Sequence, residues 1–171
     1  MKKFIYLLIV LFSYTAYGQL GVSVGYGAGF ATISGDDGDL LAISDDLVSS
    51  LSVGLIYSFE LSESFNLEVG ASVGSSVGEE ENASTLGSSL QAKWYMSEAF
   101  SLKAGMGYGH SLEEENDLTK QGGIAAKFGF GWDITENFVI ETGYSHTLTD
   151  MSKVDGLTLK GYAIGVGVNY F

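Results

Sequence analysis

The sequence predicts an all-β protein, with eight antiparallel strands closed up-and-down into a transmembrane β-barrel. Three observations predict it. Eight segments of about ten residues alternate large apolar with small residues, as a strand's period of 2 requires. The connections between them are alternately very short and long. The 171 residues include 24 Gly and no Pro, a composition for close-packed strands. Ten residues at ~3.3 Å each, tilted ~40°, climb about 25 Å, the height of the apolar band of an outer-membrane barrel.

The segments follow in order. In the first, Val22, Val24, Tyr26, Ala28 and Phe30 alternate with Ser23, Gly25, Gly27 and Gly29. The second sets Leu51, Val53, Leu55, Tyr57, Phe59 and Leu61 against Ser52, Gly54, Ile56, Ser58 and Glu60. The third sets Phe65, Leu67, Val69, Ala71 and Val73 against Asn66, Glu68, Gly70, Ser72 and Gly74. In the fourth, Leu86, Leu90, Ala92, Trp94 and Met96 oppose Gly87, Ser89, Gln91, Lys93 and Tyr95. In the fifth, Phe100, Leu102, Ala104, Met106 and Tyr108 oppose Ser101, Lys103, Gly105, Gly107 and Gly109. The sixth places Ile124, Ala126, Phe128, Phe130 and Trp132 opposite Gly123, Ala125, Lys127, Gly129 and Gly131. The seventh places Phe138, Ile140, Thr142 and Tyr144 opposite Val139, Glu141, Gly143 and Ser145. The last alternates Tyr162, Ile164, Val166, Val168 and Tyr170 with Gly161, Ala163, Gly165, Gly167 and Asn169.

Three short turns share a pattern: Leu61-Ser62-Glu63-Ser64-Phe65, Met96-Ser97-Glu98-Ala99-Phe100 and Ile134-Thr135-Glu136-Asn137-Phe138. Their Phe residues lie 35 and 38 positions apart, so the hairpin is an internal repeat. Three such turns and two chain ends require eight strands and four long loops. Those loops hold 14 of the 21 acids: Asp36, Asp37, Asp39, Asp45 and Asp46; Glu79, Glu80 and Glu81; Glu113, Glu114, Glu115 and Asp117; Asp150 and Asp155. Long polar loops at one end and short turns at the other suit a barrel inserted from one side. The conformation between Leu40 and Leu51 is left open.

Residues 1–18 read as a secretory signal peptide: Met1-Lys2-Lys3, an apolar run from Phe4 to Phe12, and Ala16-Tyr17-Gly18 before a cleavage point at Gln19. The run is too short for a spanning helix, which needs ~20 residues. The barrel domain is then 19–171. Beyond the leader, six Lys face 21 acids, and the chain has no Arg and no Cys. That balance excludes a basic nucleic-acid surface, disulfides, thiolate metal sites and a cysteine nucleophile.

A soluble sandwich would turn the large face inward and leave mostly Gly and Ala for water. A membrane barrel inverts this: bulky residues meet acyl chains and small ones crowd a narrow interior with room for side chains only. Aromatics fall at both ends, with Phe59, Phe65, Trp94, Phe100, Trp132 and Phe138 near the short turns and Tyr26, Tyr108, Tyr144 and Tyr162 near the long loops, as two interfacial girdles. The small-residue face carries Glu60, Glu68, Lys93, Lys103, Lys127 and Glu141. Three negative and three positive charges at similar depth predict an interior ion-pair network, since buried charges are costly unless paired. A one-residue slip would turn them toward lipid, where a Lys costs ~2–4 kcal/mol at the midplane.

With its hairpin turns, alternation and ending Gly165-Val166-Gly167-Val168-Asn169-Tyr170-Phe171, the chain resembles the small outer-membrane β-barrel family, porin-like relatives of the OmpA membrane domain and OmpX. The resemblance spans the mature chain. It implies a bacterial outer-membrane location and a terminal Phe read by the barrel-insertion machinery. The match is imperfect there: the apolar positions fall in step with Tyr170, not Phe171.

Other chemistry is weakly signalled. Gly25-Tyr26-Gly27-Ala28-Gly29 and Gly105-Met106-Gly107-Tyr108-Gly109 lack the following helix of a dinucleotide loop. His110 with Ser111 and Glu113, or His146 with Ser145 and Glu141, can be drawn as a hydrolase triad, but neighbouring strand residues face opposite sides. The acid runs lack the spaced ligands and Gly turn of a calcium loop. The expected function is therefore a non-enzymatic barrel with a side-chain-filled interior and a structural or surface-interaction role. The alternatives are a barrel-wall lipid A hydrolase and a narrow cation-preferring pore. No cofactor, metal or nucleic acid is implied; the expected partners are outer-membrane lipids and lipopolysaccharide, and the expected state is a monomer.

Overall fold

A computed structural model of the chain describes residues 18–35, 37–43, 47–77, 83–113 and 117–171. The signal-peptide reading of 1–18 lies outside them except for Gly18. The same holds for Asp36, Asp45 and Asp46, for the acid run Glu79–Glu81, and for Glu114 and Glu115.

The strands are β1 (Gly18–Gly35), β2 (Leu40–Ile43), β3 (Val48–Ser62), β4 (Phe65–Val77), β5 (Ser84–Tyr95), β6 (Phe100–Ser111), β7 (Gly122–Thr135), β8 (Phe138–Thr147) and β9 (Leu157–Tyr170). Eight of them form the barrel. Each pairs antiparallel with the next in the order β1, β3 to β9, and β9 returns to β1. One row of paired residues runs Gly18, Phe59, Leu67, Ala92, Ala104, Phe128, Tyr144, Ile164 and re-enters β1 at Ala28. The row thus closes ten residues further along the same strand. With eight strands, that stagger fixes a tilt of roughly 40° and a lumen about as wide as its side chains.

The faces divide as the alternation predicts. Leu55, Trp94, Phe128 and Ile164 lie on the outside, each more than half exposed, while Val139 is the sole buried hydrophobic residue among those described. Ser58, Glu68, Lys93, Ser101, Lys103 and Asn169 are buried in the lumen. A water-soluble protein does not expose so continuous an apolar surface; here the acyl chains cover it.

The short turns repeat a local device. Ser97 Oγ accepts from the backbone N–H groups of Ala99 and Phe100, at 3.4 and 3.2 Å. Thr135 Oγ1 accepts from those of Asn137 and Phe138, at 3.4 and 3.1 Å. The hydroxyl three positions before each Phe satisfies turn donors that no strand reaches.

Three features exceed the sequence-based outline. The strands are longer than their alternating stretches, because above the lipid a strand needs no apolar face. The stretch after Leu40 begins with a strand, not a loop: β2 folds back on β1, pairing Ile43 with Thr32 and Leu40 with Ser34. Gly38 (φ 79°) makes the turn, donating its N–H to Gly35 O at 2.9 Å. Phe171 lies beyond β9 and puts its ring against Gly21, where a Cβ would stand 2.7 Å from the ring. The terminal ring therefore packs inside the lower lumen, which is why the lipid-facing residues fall in step with Tyr170.

Phe128 sits near the middle of the outer wall, so Phe128→Lys is expected to lower the unfolding free energy by at least ~2 kcal/mol. Urea unfolding in lipid vesicles measures this; an unchanged midpoint would mean that the residue does not face lipid.

Candidate functional site

Pairing places Lys93 directly opposite Lys103 on neighbouring strands, a like-charge pair that is destabilising if left alone. Each ammonium turns to its own acid. Lys103 Nζ makes an ion pair with Glu68 and a second with Glu141 Oε1 at 2.7 Å. These groups come from β4, β6 and β8, so the triad reaches across the lumen. Lys93 Nζ lies 3.3 Å from Asp133 Oδ1 on β7 and 4.7 Å from the centre of the Tyr95 ring. The Lys93, Lys103 and Glu68 side chains are almost wholly buried. Among the described residues no hydrogen bond is made to Glu68, so Lys103 is its ion-pair partner.

Four of the six predicted residues, Glu68, Lys93, Lys103 and Glu141, thus lie in this layer. Glu60 does not join it. It pairs with Asn66, which pairs with Lys93, and the tilted row carries it down to the short-turn rim, where it is exposed. Lys127 does not join it either. Lys103 pairs with Gly129, two residues nearer the short-turn end of β7, so Lys127 stands above the layer. The acid that sequence reasoning missed is Asp133. It is in step with Lys127, Gly129 and Gly131, and continuing that alternation one step past Trp132 would have found it.

The triad drawings dissolve in the fold. His110 faces outward and stacks on Tyr108, with ring centres 6.4 Å apart, while His146 stacks outward on Tyr162 at 4.5 Å. Ser145 faces the lumen, and Glu141 is held by Lys103. Among the described residues no group of three His, Asp or Glu is arranged to hold a metal ion.

At the long-loop end, the β6–β7 and β8–β9 connections are joined. Thr119 and Ser152 form a bridge, Lys120 N–H donates to Met151 O at 2.8 Å, and Lys153 N–H donates to Leu118 O at 2.9 Å. Asp150 Oδ1 accepts from the backbone N–H groups of Ser152 and Leu159, both at 2.9 Å, and Oδ2 lies 3.6 Å from Lys120 Nζ. The N–H bond from Ser152, then that from Leu159, then the nearby Lys120 hold the Asp150 carboxyl below the usual carboxylate range. Part of the acidic surface is therefore ordered.

Residues 4–171 match the family model described as the outer membrane protein beta-barrel domain. The chain belongs to that family. Its place is the bacterial outer membrane, in a porin-like barrel. Among solved structures, it resembles the outer membrane enzyme PagL at 11% identity, over 82% of this chain and 97% of that one, with a TM-score of 0.51. Neisserial surface protein A is similar at 11% identity, over 87% and 96%, with a TM-score of 0.50. Ail, the attachment invasion locus protein of Yersinia pestis, is similar at 19% identity, over 90% and 99%, with a TM-score of 0.48. At these identities the likeness is one of fold. No curated protein matches the sequence.

Lys103→Met leaves Glu68 charged and unpartnered, so it should cost ~3–5 kcal/mol, and adding Glu68→Gln should recover part of the loss. Unfolding midpoints in vesicles measure both; equal stability of all three proteins would count against the ion layer. Asp150 has a depressed folded pKa, so its contribution to loop order is present above the unfolded pKa and disappears as pH falls through the folded one. The Ser152 and Leu159 amide resonances should titrate together, with a midpoint below the ordinary aspartate range, and lose that transition in Asp150→Asn.

Proposed function

We propose that this protein is a lumen-closed, non-enzymatic barrel that anchors an acidic, partly ordered loop surface for interactions outside the cell. The observation that carries this reading is the triad Glu68–Lys103–Glu141, joined across the lumen by two ion pairs on one ammonium. An ion crossing the barrel would have to displace charges that are buried and ion-paired, which is costly. The pore reading is disfavoured for that reason.

The stacking of the two His rings favours the non-enzymatic reading over the hydrolase. A nucleophile and its base need to come within hydrogen-bond reach, ~2.6–3.2 Å. The two His rings instead stack on Tyr rings on the outer wall. PagL is an enzyme by its description, but a shared barrel carries no site.

The loops favour cationic ligands. Asp37, Asp39, Glu113, Asp117, Asp150 and Asp155 stand among few Lys, and an acidic surface attracts positively charged partners at long range. Divalent cations bridging to lipopolysaccharide phosphates, and basic segments of surface proteins, fit that chemistry. We assign the outer-wall contacts to outer-membrane lipids, and the functional unit to a monomer.

Planar-bilayer recording tests the closure. The wild-type barrel should give no steady conductance, and Lys103→Met should raise the frequency of open events. Steady wild-type conductance would overturn the reading. Unchanged lipid A acylation on expression of the protein is expected; deacylation lost in His110→Ala or His146→Ala would restore the enzyme.

A further inference from the structure

Above the ion layer the lumen is not filled. A cavity of about 330 Å³ remains there, lined by Lys127, Gln91, Ser50, Ser52 and Ser145 and by glycines of β1, β7, β8 and β9. Lys103 and Glu141 form its floor, and they are already engaged with each other at 2.7 Å. The glycine wall explains why the space exists. A Cβ at Gly129 would stand 2.7 Å from Thr142 O, and one at Gly165 3.1 Å from Tyr26 O, so close strand approach forbids the side chains that would occupy it. Toward the loops, a Cβ at Gly109 would meet nothing within 4 Å among the described residues.

Lys127 is the unusual member. Its stem leans across Gly107, where an added Cβ would lie 2.7 Å from Cε and 3.3 Å from Nζ. It has no acid within ion-pair distance among the described residues, whereas Lys93 has one and Lys103 has two. The charged groups that share its cavity are Lys103 and Glu141 of the floor, engaged with each other. A half-buried ammonium without a counter-charge is unfavourable. Apart from Lys103 and the Glu141 carboxylate of the floor, the polar side chains of the inner wall that share its cavity are an amide and three hydroxyls, all able to donate hydrogen bonds.

We propose that this cavity is a binding site for a small anion, a phosphate or carboxylate group, with Lys127 as its counter-charge and Gln91, Ser50, Ser52 and Ser145 as hydrogen-bond donors. The volume matches a small-molecule pocket. The acidic loops at the mouth select against polyanions, which carry charge that must remain among those loops while one group reaches Lys127. The site rests on the closed floor proposed above, yet the two fail separately. A conducting barrel would defeat the closure whatever a binding measurement gives, and a non-conducting barrel without binding would defeat the site alone.

The test is titration of the ¹⁵N-labelled folded barrel in detergent micelles with inorganic phosphate, and separately with acetate. Saturable shifts of the Gly107, Lys127 and Gly129 amides are expected, kept in Lys127→Arg and weakened at least ~10-fold in Lys127→Met, the loss of one charged hydrogen bond. Gly109→Trp, which fills the space beside Gly109 on the loop side, should weaken the shifts as well. Heat-modifiable migration checks that each variant is folded; if Lys127→Met does not fold, Gly109→Trp decides. Absent or non-saturable shifts in the wild type would overturn the site, as would shifts undiminished in Lys127→Met or, where that variant fails to fold, in Gly109→Trp.

Discussion

Hydrocarbon offers no water to a peptide group, so every N–H and C=O within the membrane must find a partner in the chain. A sheet meets that demand only by closing on itself. Here closure is achieved by eight strands with a stagger of ten residues, traced from Gly18 to Ala28. Strand number and stagger together fix the radius, and the remaining features follow from that narrow tube. Its outer wall must be apolar, its inner wall must be small, and long side chains pointing inward can meet across the lumen.

The narrowness explains both the glycines and the ions. Where neighbouring strands approach closely on the inner side, as at Gly129 against Thr142 O, no Cβ can be accommodated. In the ion layer, the long side chains that enter are charged and paired. Lys103 draws Glu68 and Glu141 from opposite sides of the tube, and Lys93 turns toward Asp133. This arrangement resolves the like-charge opposition of Lys93 and Lys103 created by their strand register. It also fixes which face is inside, because a slipped register would turn these charges toward lipid. The ion layer thus specifies the fold as well as filling it.

Outside the membrane the constraint relaxes, and the chain uses that freedom. Strands β1 and β9 continue past the lipid, β2 folds onto the end of β1, and Asp150 ties the last loop together by accepting two backbone N–H groups. A carboxylate used this way orders the loop locally while leaving most of the acid on the surface available. The same barrel therefore combines an ion-paired centre with an acidic end suited to contact.

How much of this was legible in the sequence depends on the range of the interaction. Alternation of period 2 is a local property, so Leu55, Phe128 and Ile164 declare the outer face and Ser52, Gly129 and Gly165 the inner one without any knowledge of neighbours. The repeated Ser/Thr-Glu-x-Phe turns gave strand number and polarity for the same reason. The ion layer was half legible: Glu68, Lys93, Lys103 and Glu141 stand out on a small-residue face. Which of them meet is set by stagger and tilt, quantities that belong to the closed barrel and to no single strand. Tilt lowers Glu60 to the rim, lifts Lys127 above the layer and brings in Asp133. The sequence alone determined the faces, the strands and the membrane; only the tertiary structure decided the partners, because an ion pair across a lumen depends on where the circle closes.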